Sequence, residues 1–251
     1  MNQLFVTGGI VTYNNADIIA KCIQSLLDCT EQCKFQLYIY DNHSTDMTVS
    51  IIKEHFPDVI ILESKENRGF GYGHNQIINQ IVDSDFHAII NPDIYLTEDA
   101  ISQIALYMYN HPEVIQLTPE IRNLDGSIQY LPKLDPNFKR VVLSKFKPFA
   151  HYRREYTRED ENFTEPVPIL SSTGCFSVIK TEVLKLLQGY DQRFFMYFED
   201  ADLSRRLREY GVIIYHPGIS VYHEWKRDNT RSLRGILIFL TSMWKYYRKW
   251  R

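Results

Sequence analysis

Residues 4–29 read LFVTGGIVTYN and, two residues later, DIIAKCIQSLLDC, and this pair of segments predicts the fold. The first segment is an apolar, β-rich run, whereas the apolar residues of the second recur at intervals of three and four, as on one helix face. The same order of strand and helix returns at 35–56, 58–84 and 86–110. Four such units in series predict an α/β fold, with a mainly parallel central sheet flanked on both faces by helices.

The ends of the predicted strands indicate where a ligand would bind. In open α/β sheets, ligands bind beyond the carboxyl ends of the strands. These ends fall at 13–14, 41–42, 63–68 and 91–93, and each of them carries polar residues. We therefore expect the functional groups of this chain to gather along one edge of the sheet.

The second half of the chain has a less regular pattern. A strand and a hairpin that turns at an Asp-Gly pair are predicted at 113–131. Residues 131–166 are basic, aromatic and then acidic, with weak periodicity, and we interpret them as a mobile excursion or lid. A strand and a helix follow at 169–187, and residues 212–225 predict two short strands around a Pro-Gly pair. The absence of an internal repeat or a low-complexity linker favours one domain.

Composition excludes several classes of protein. The formal net charge is -3 and the isoelectric point is near 6.2, so the chain lacks the basic surplus of a nucleic-acid binder. The four cysteines form no CxxC pair and have no histidine at zinc-finger spacing, which indicates reduced thiols in a cytosolic protein. No signal peptide is expected at the N-terminus, and the apolar stretch at 235–244 is too short to span a bilayer.

Two strand ends carry candidates for holding a nucleotide. Asp41 can accept a hydrogen bond from the imide N–H of a pyrimidine, and Tyr13 can pack on the base. The same turn, residues 41–46, can equally be an Asx turn in which Ser44 caps the next helix. The pattern alone leaves both interpretations open.

A glycine-rich segment, NRGFGYGHN at 67–75, is a candidate for phosphate binding. It places Gly69, Gly71 and Gly73 between a strand and a helix. Such a turn lets the backbone approach a phosphate at a helix N-terminus, and the guanidinium of Arg68 would suit a diphosphate. The spacing matches neither a P-loop nor the dinucleotide fingerprint, so an ordinary turn stays open.

Three further segments carry carboxylate or imidazole groups. In INPD, residues 90–93, Asp93 can ligate a divalent cation that bridges a diphosphate, although Asn-Pro also favours a plain turn. In MYFEDADL, residues 196–203, one carboxylate can act as a general base, although acidic residues also suit a helix N-terminus. In VYHEW, residues 221–225, His223 can ligate a metal or be structural.

Taken together and in order, these segments resemble glycosyltransferase family 2, and most closely its rhamnosyltransferase-like branch. The resemblance covers residues 4 to about 224 and rests on IVTYNN, YIYDNHSTD, NRGFGYGHN, INPD, SSTGCFSVIK, GYDQRFFMYFEDADLSRRLREYG and YHPGISVYHEW. It implies the GT-A fold, a nucleotide-sugar donor, a divalent cation and inversion at the anomeric carbon. The form Asn-Pro-Asp is itself frequent in this branch, so Asn91 does not imply an inactive protein.

The resemblance also implies roles for individual residues. It implies that Asp200 is the catalytic base with Glu199 beside it, and that Asp93 and His223 bind Mg²⁺ or Mn²⁺. The implied acceptor-side residues are Gly174, Cys175 and Asp202. The implied donor-binding residues are Thr12, Tyr13, Asn14, Asp41, Asn42, Arg68, Gly69, Asn75 and Asn91.

The implied chemistry indicates which donor and which acceptor the protein uses. Inverting transfer is a single displacement, in which a base removes the acceptor proton and a cation stabilises the departing diphosphate. The expected donor is dTDP-rhamnose or a UDP-hexose, and the expected acceptor is a saccharide, which in this branch is usually lipid-linked. The expected setting is surface polysaccharide biosynthesis by a cytoplasmic protein, with peripheral contact to the inner face of the cell membrane and a homodimer both left open.

A basic amphipathic helix is predicted at 225–251, after a GT-A domain at 1–224. From residue 226 onwards eight Lys and Arg stand against one Asp, and apolar residues recur at helical spacing beside them. Such a helix with Trp and Tyr can lie on a membrane surface, but it can equally dock on the domain or on a second copy. Basic residues near Arg231 can alternatively contact the donor diphosphate.

Two other functions are weighed against this one. A nucleotidyltransferase shares a similar nucleotide-binding architecture but requires a basic loop early in the chain, and TGGIVTYNN at 7–15 has no Lys or Arg. A non-catalytic sugar-binding or scaffold protein of the same fold would have no need of Asp93, Asp200 and His223, all of which are present.

Overall fold

Ten strands join in one sheet in the computed structural model, which describes residues 3–131, 133–224 and 232–251. In chain order the strands are β1 (Phe5–Thr12), β2 (Lys34–Asp41), β3 (Ile60–Glu63), β4 (Phe86–Ile90), β5 (Ile94–Tyr95), β6 (Val114–Arg122), β7 (Ile128–Gln129), β8 (Val167–Pro168), β9 (Phe176–Lys180) and β10 (Val212–His223). The helices are α1 (Ile19–Cys29), α2 (Thr48–His55), α3 (Phe70–Gln80), α4 (Ala100–Asn110), α5 (Phe138–Val141), α6 (His151–Thr157), α7 (Thr181–Leu186), α8 (Glu199–Leu207) and α9 (Leu233–Lys249).

The sheet has the order β3-β2-β1-β4-β9-β6-β10-β5, with β7 beside β6 and β8 beside β10. The first four predicted units form the parallel part, in which β1 lies between β2 and β4. Thr12 pairs with Asp41 in this register, so the ends of β1 and β2 are level. The sheet becomes mixed beyond β4, because β9 runs antiparallel to both of its neighbours.

Helices cover both faces of the sheet, as predicted. Successive side chains of a strand point to opposite faces. On β4, Ala88 and Ile90 belong to a core shared with α1, α2 and α4, whereas Ile89 belongs to a second core shared with α3, α7 and α8. All three side chains are fully buried, so β4 lies at the centre of the molecule and its carboxyl end is well supported.

Residues 133–166 are folded, in contrast to the prediction of a lid with weak periodicity. They form α5, α6 and two short 3₁₀ turns at Leu143–Lys145 and Lys147–Phe149. The guanidinium of Arg140 on α5 binds Glu155 on α6 at 2.7 Å. Arg208, just after α8, binds Asp135 at 2.8 Å and so fixes the segment to the domain. These ion pairs replace the apolar periodicity that the sequence lacks here.

Residues 212–223 form one continuous strand, not the two short strands predicted around the Pro-Gly pair. β10 pairs with β6 on both sides of an irregularity between His216 and Ser220. Pro217 has no backbone N–H to donate, so the ladder is interrupted there, but the chain bulges and then resumes the same pairing. The continuity matters for function because it carries His223 to the end of the sheet.

The helix α9 packs one of its faces on the domain. Ser242 donates its hydroxyl to the carbonyl of Met196 at 2.8 Å, and Tyr246 is buried against Phe198. The predicted domain boundary at 225 and Arg231 fall in residues 225–231, which lie outside the described residues. Within the described ranges, no helix is both long enough and apolar enough to cross a membrane.

Candidate functional site

Three segments that are far apart in the sequence meet at the carboxyl end of β4. The backbone N–H of Asn91 donates to the carbonyl of Cys175 at 2.8 Å, which joins the end of β4 to the start of β9. The preceding residue, Gly174, donates its N–H to Oδ2 of Asp200 at 3.3 Å. The Asn-Pro-Asp turn, the Gly-Cys pair and the first turn of α8 therefore form one continuous site.

Asp93 lies beside His223 because β5 pairs with β10. The two strands are antiparallel with Ile94 opposite His223, and the N–H of Glu224 donates to the carbonyl of Asp93 at 2.9 Å. This register places Nε2 of His223 3.2 Å from Oδ1 of Asp93, and both atoms are buried. The two predicted metal ligands thus face each other across the end of the sheet.

Gln129 on β7 orients the ring of His223. Its amide nitrogen donates to the carbonyl of His223 at 3.0 Å and to Oδ1 of Asn123 at 2.8 Å, which leaves its amide oxygen as an acceptor. That oxygen lies 2.9 Å from Nδ1 of His223, so this network assigns the ring proton to Nδ1. Nε2, the other ring nitrogen of His223, faces the carboxylate of Asp93.

This arrangement fits a divalent cation. Two adjacent ligands of an octahedral Mg²⁺ lie about 3 Å apart when each bond is about 2.1 Å long. The separation of 3.2 Å between Oδ1 of Asp93 and Nε2 of His223 is close to that value. Residues 3–131, 133–224 and 232–251 contain no group of three or more His, Cys, Asp or Glu that could hold a metal. A cation here would therefore take its other ligands from a diphosphate and water, as Mg²⁺ commonly does.

Asp200 and Glu199 open α8 after an unusual backbone turn. Tyr197 and Phe198 have positive φ angles of 70° and 67°, a conformation that residues other than glycine rarely adopt and that is enriched at functional sites. The turn aims the first carboxylates of α8 at the end of β4. Oδ1 of Asp200 accepts the N–H of Ala201 at 2.7 Å, which helps to hold the half-buried carboxylate in place.

The adjacent carboxyl groups differ in protonation. Glu199 is buried, and its Oε2 makes no hydrogen bond within the described part of the chain. Burial, and secondly the charge of Asp200, raise the pKa of Glu199 to about 8. At neutral pH the proton therefore stays on Glu199, and Asp200 is the carboxylate available as a base.

Asp202 does not lie on the acceptor side, as the sequence predicted, but inside the protein. Its carboxylate is fully buried and binds Arg206 at 3.0 Å, Lys249 at 2.6 Å and the indole N–H of Trp250 at 2.8 Å. Residues two apart on a helix point about 200° away from each other, so Asp202 faces away from the direction of Asp200. Its contacts assign it to holding α9 against α8.

The other predicted acceptor-side residues, Gly174 and Cys175, lie just before β9 and next to the first turn of α8. A Cβ atom on Gly174 would lie 3.3 Å from the ring of Phe70, so a larger residue here would crowd that ring. The thiol of Cys175 lies 3.4 Å from the hydroxyl of Thr173. Burial raises the pKa of Cys175 to about 11, so the thiol is not a nucleophile at neutral pH.

Asp41 has an unsatisfied oxygen at the end of β2. Its Oδ2 accepts the N–H of Ser44, three residues on, at 2.9 Å, whereas its Oδ1 is buried with no hydrogen bond to any described residue. A buried acceptor without a donor costs about 1–3 kcal/mol, and the N–H of a bound base would satisfy it. Tyr13 follows the neighbouring strand, with its ring half exposed. These features fit the predicted nucleobase position.

Thr12 and Asn14 hold the two turns of that position together. The hydroxyl of Thr12 donates to Oδ1 of Asn15 at 2.9 Å. Asn14 donates its N–H to Oγ of Ser44 at 2.9 Å and accepts the N–H of Thr45 at 2.8 Å. Ser44 therefore joins the turns and does not cap the next helix, which was the alternative open from the sequence.

Asn42, Arg68 and Gly69 connect the third strand end to the same edge. The side chain of Asn42 donates to the carbonyl of Gly69 at 3.1 Å and accepts the N–H of Arg68 at 3.0 Å. Gly69 has a φ of 93°, and a Cβ there would lie 2.2 Å from the carbonyl oxygen of Phe195. The guanidinium of Arg68 stacks 4.0 Å above the ring of Tyr72 and stays half exposed, where an anion can reach it.

Gly71, Gly73 and Asn75 lie within α3, where they serve packing. A Cβ on Gly71 would lie 2.8 Å from the side chain of Tyr190, and one on Gly73 would lie 2.8 Å from that of Tyr40. Asn75, predicted to bind the donor, is buried and exchanges two hydrogen bonds of 2.8 Å with the backbone of Tyr190. The glycine-rich segment thus lets α3 approach its neighbours, and Asn75 fixes it to the loop before α8.

Gln129 is the site residue that the sequence did not reveal. It belongs to a short hairpin strand with no motif around it, and its contact with His223 depends on the pairing of β6 with both β7 and β10. A polar residue that is buried next to the turn of a hairpin was the only signal available, and it does not distinguish a structural amide from a functional one.

Known proteins with similar sequences are glycosyltransferases. Residues 9–187 match the model of the family described as glycosyl transferase family 2. The chain is 29% identical over 238 residues to the N-acetylglucosaminyl-diphospho-decaprenol L-rhamnosyltransferase of Mycobacterium tuberculosis, covering 88% of this chain and 76% of that protein. It is 23% identical over 234 residues to the rhamnosyltransferase WbbL of Escherichia coli, covering 88% of this chain and 83% of WbbL.

Solved structures with the same fold include a mannosyltransferase, PcManGT from Pyrobaculum calidifontis, determined in complex with GDP-Man and Mn²⁺. It superposes with a TM-score of 0.66 at 17% identity. The match covers 97% of this chain and 64% of that structure, so this chain spans less than two thirds of the neighbour. The likeness shows the GT-A fold that the sequence predicted.

Proposed function

The chain belongs to glycosyl transferase family 2, and from this premise we propose that it is an inverting, cation-dependent glycosyltransferase of surface polysaccharide biosynthesis. The proposed donor is a nucleoside diphosphate sugar, either dTDP-rhamnose or a UDP-hexose. The proposed acceptor is a saccharide carried on a lipid diphosphate. The N-acetylglucosaminyl-diphospho-decaprenol L-rhamnosyltransferase of Mycobacterium tuberculosis, whose name specifies such an acceptor, supports the choice of rhamnose and of a lipid carrier.

The observation that carries the proposal is that the proposed base, Asp200, lies near the two proposed ligands of a cation, Asp93 and His223. Asp200 is held by Gly174, and Cys175 is held by Asn91, two residues before Asp93. The carboxylate for proton removal and the ligands for a diphosphate-bound cation thus lie on one edge of the sheet. Mn²⁺ in the PcManGT complex supports the use of a divalent cation in this fold.

The acceptor side of the mechanism is assigned to Asp200. Its carboxylate removes the proton of an acceptor hydroxyl while the hydroxyl oxygen forms a bond to the anomeric carbon. The bond from that carbon to the diphosphate breaks in the same step, so the anomeric configuration inverts. Glu199, protonated at neutral pH, leaves the negative charge of the pair on Asp200.

The donor side is assigned to two groups of residues. Oδ1 of Asp41 accepts the N–H of the base, and the exposed ring of Tyr13 packs on it. Asp93 and His223 hold the cation, which when bound supplies positive charge to stabilise the departing diphosphate. Arg68 lies at the outer edge, where its guanidinium can contact the diphosphate.

Replacing Asp200 tests the proposal directly. Asp200→Asn keeps the shape of the side chain but removes the base, so transfer should fall by about 10²–10⁴-fold. Binding of the nucleoside diphosphate with Mn²⁺, measured by isothermal titration calorimetry, should stay unchanged. Transfer is measured with dTDP-rhamnose and UDP-hexoses on a lipid-linked N-acetylglucosaminyl diphosphate.

The matched control is Glu209→Gln, which neutralises an exposed carboxylate just beyond α8. This variant should retain full transfer. Full activity in Asp200→Asn would overturn the assignment of the base. A wild-type chain that binds no nucleoside diphosphate in the presence of Mn²⁺ would overturn the proposed function as a whole.

A further inference from the structure

The outer face of α9 carries a continuous apolar stripe. Leu233, Leu237, Leu240 and Trp244 are 83, 65, 46 and 57% exposed. Their spacing of four, three and four residues places them on one side of the helix, away from the buried Ser242. Soluble monomers seldom expose so many large apolar side chains in one row, so we expect this face to be an interaction surface.

A second exposed apolar element lies in the segment between β7 and α6. Phe138, Phe146 and Phe149 are all exposed, on α5 and the two 3₁₀ turns. Lysines stand among them in the sequence FKRVVLSKFKPF at 138–149. Aromatic rings next to lysines form a surface in which the rings supply apolar area and the ammonium groups around them supply positive charge.

The two elements adjoin each other. The ammonium of Lys145 lies 4.3 Å from the centre of the ring of Phe239 on α9. Val141 on α5 packs in the same apolar cluster as Phe239, Met243 and Tyr247. We define the anchor surface as residues 138–149 together with the exposed face of α9.

The charge around the anchor surface has one sign. Residues 136–154 and 232–251 contain eleven Lys and Arg and not one of the 31 Asp and Glu, although the whole chain has a net charge of -3. Arg140, Arg154 and Lys249 are used in ion pairs with Glu155, Asp160 and Asp191 respectively. Among the described residues, no ion pair involves Lys145 or the other lysines of 138–149.

We propose that the anchor surface binds peripherally to the surface of an anionic lipid bilayer. Exposed Leu, Phe and Trp enter the interface between head groups and acyl chains, while the surrounding cations meet the anionic head groups. A second copy of this chain would bring like charges together at the same surface, which disfavours a symmetric dimer there. The inference goes beyond the proposed function, because the anchor surface contains none of the residues assigned to donor, cation or base.

Vesicle sedimentation of the full chain tests the proposal. Binding to phosphatidylcholine vesicles that contain phosphatidylglycerol should exceed binding to pure phosphatidylcholine by about tenfold or more, and should weaken at high salt. The double variant Leu237→Glu/Trp244→Glu removes apolar contact, and Lys145→Glu/Lys147→Glu reverses charge at the second element. Each should lower binding by about tenfold, because each adds two unfavourable charges at the membrane surface.

The matched control is Leu186→Glu, since Leu186 is an exposed leucine on α7, outside the anchor surface. It should bind vesicles as the wild type does. Circular dichroism and nucleoside diphosphate binding show that each variant is folded. Equal binding to both kinds of vesicle, no binding to either, or wild-type binding by both double variants would overturn the proposal. A dimer in light scattering that Leu237→Glu/Trp244→Glu dissociates would also overturn it, in favour of a second copy as the occupant.

Discussion

At the scale of single residues, the ring of His223 is oriented by the amide of Gln129, and replacing that amide tests its contribution to cation binding. Gln129→Met keeps the length of the side chain but offers no oxygen to Nδ1 of His223. The ring then loses its preferred tautomer, so the affinity for Mn²⁺ in the presence of a nucleoside diphosphate should fall by about 10–100-fold. Isothermal titration calorimetry measures this affinity without any need for turnover.

A conservative change and a surface change serve as controls for Gln129. Gln129→Glu retains an oxygen acceptor for Nδ1 but loses the donations to His223 and Asn123, so it should recover only part of the affinity for Mn²⁺ that Gln129→Met loses. Gln103→Ala, at an exposed position on α4, should have no effect. Unchanged affinity in Gln129→Met would show that the amide does not position the ligand.

The buried carboxyl of Glu199 predicts a particular dependence of stability on pH. Its pKa is raised from 4.5 to about 8 by burial and by Asp200, so between those values the folded state keeps a proton that the unfolded state has released. This group therefore lowers the free energy of unfolding as pH rises from about 4.5 to 8, by at most about 1.4 kcal/mol per pH unit. Glu199→Gln removes the effect and should gain stability relative to wild type as pH rises.

Urea denaturation at several pH values between 5 and 8 measures this difference. Glu54→Gln, which changes an exposed carboxylate on α2, should run parallel to the wild type over the same range. If Glu199→Gln also ran parallel, Glu199 would be ionised in the folded protein and the assignment of the proton would be wrong.

Single residues also show where sequence reasoning succeeds and where it fails. Asp93, Asp200 and His223 lie in segments whose order resembles the family, and that resemblance implied their roles although no single segment did. Asp202 carries the same chemical group, but its contacts come from residues 249 and 250, which no local pattern relates to it. Asn75 fails for the same reason, because an amide that satisfies a loop backbone has the same sequence signature as one that binds a ligand.

At the scale of elements, the start of α3 depends on a glycine for two separable reasons. Gly69 has a positive φ, and its missing Cβ makes room for the carbonyl of Phe195. Gly126 has a similar φ of 84° in the β6–β7 turn, with nothing within 4 Å of its position for a Cβ. Gly126→Ala should therefore cost about 1–2 kcal/mol from backbone conformation alone.

Gly69→Ala should cost about 2–4 kcal/mol, since the collision with Phe195 adds to the same conformational term. The free energies of unfolding in urea give both values. Equal losses in the two variants would mean that the backbone of Phe195 moves away freely, and that the contact between α3 and the loop before α8 is weak.

The pattern of elements was predictable where each element has its own periodicity. The four units from β1 to α4 follow alternating strand and helix patterns and appear as predicted. β10 was predicted as two strands because a Pro-Gly pair usually ends a strand, and only its pairing with β6 carries it through the bulge. The helices at 138–157 are short and are held by ion pairs, so the sequence has no hydrophobic periodicity that predicts them.

At the scale of the whole molecule, α9 is joined to α8 by a buried charge network. The ammonium of Lys249 lies 2.9 Å from Asp191 and 2.6 Å from Asp202. Arg193 and Lys249 lower the pKa of the Asp191 carboxyl through their hydrogen bonds, against the effect of burial, which raises it. Lys249→Met should lower the free energy of unfolding by about 1–3 kcal/mol, less than for an isolated buried pair because Arg206 and Trp250 still bind Asp202.

Arg248→Met is the matched control for Lys249→Met. Arg248 is the neighbour of Lys249 in the sequence, but its side chain is exposed and forms no ion pair among the described residues. It should change the free energy of unfolding by no more than about 0.5 kcal/mol. Thermal and urea denaturation distinguish the two variants. If both left stability unchanged, the network around Asp202 would contribute nothing to the attachment of α9.

The same network sets the order in which the protein can be completed during synthesis. Asp202 is made well before Lys249 and Trp250, which supply two of its three partners. Domains generally fold from the N-terminus as they leave the ribosome, so the sheet and α8 can form while those residues are still inside the exit tunnel. Until residue 250 emerges, a charged carboxylate and the apolar cluster around Phe198 have no cover from α9. A nascent chain stalled in that interval would have β1 to β4 in place and α8 without the support of α9.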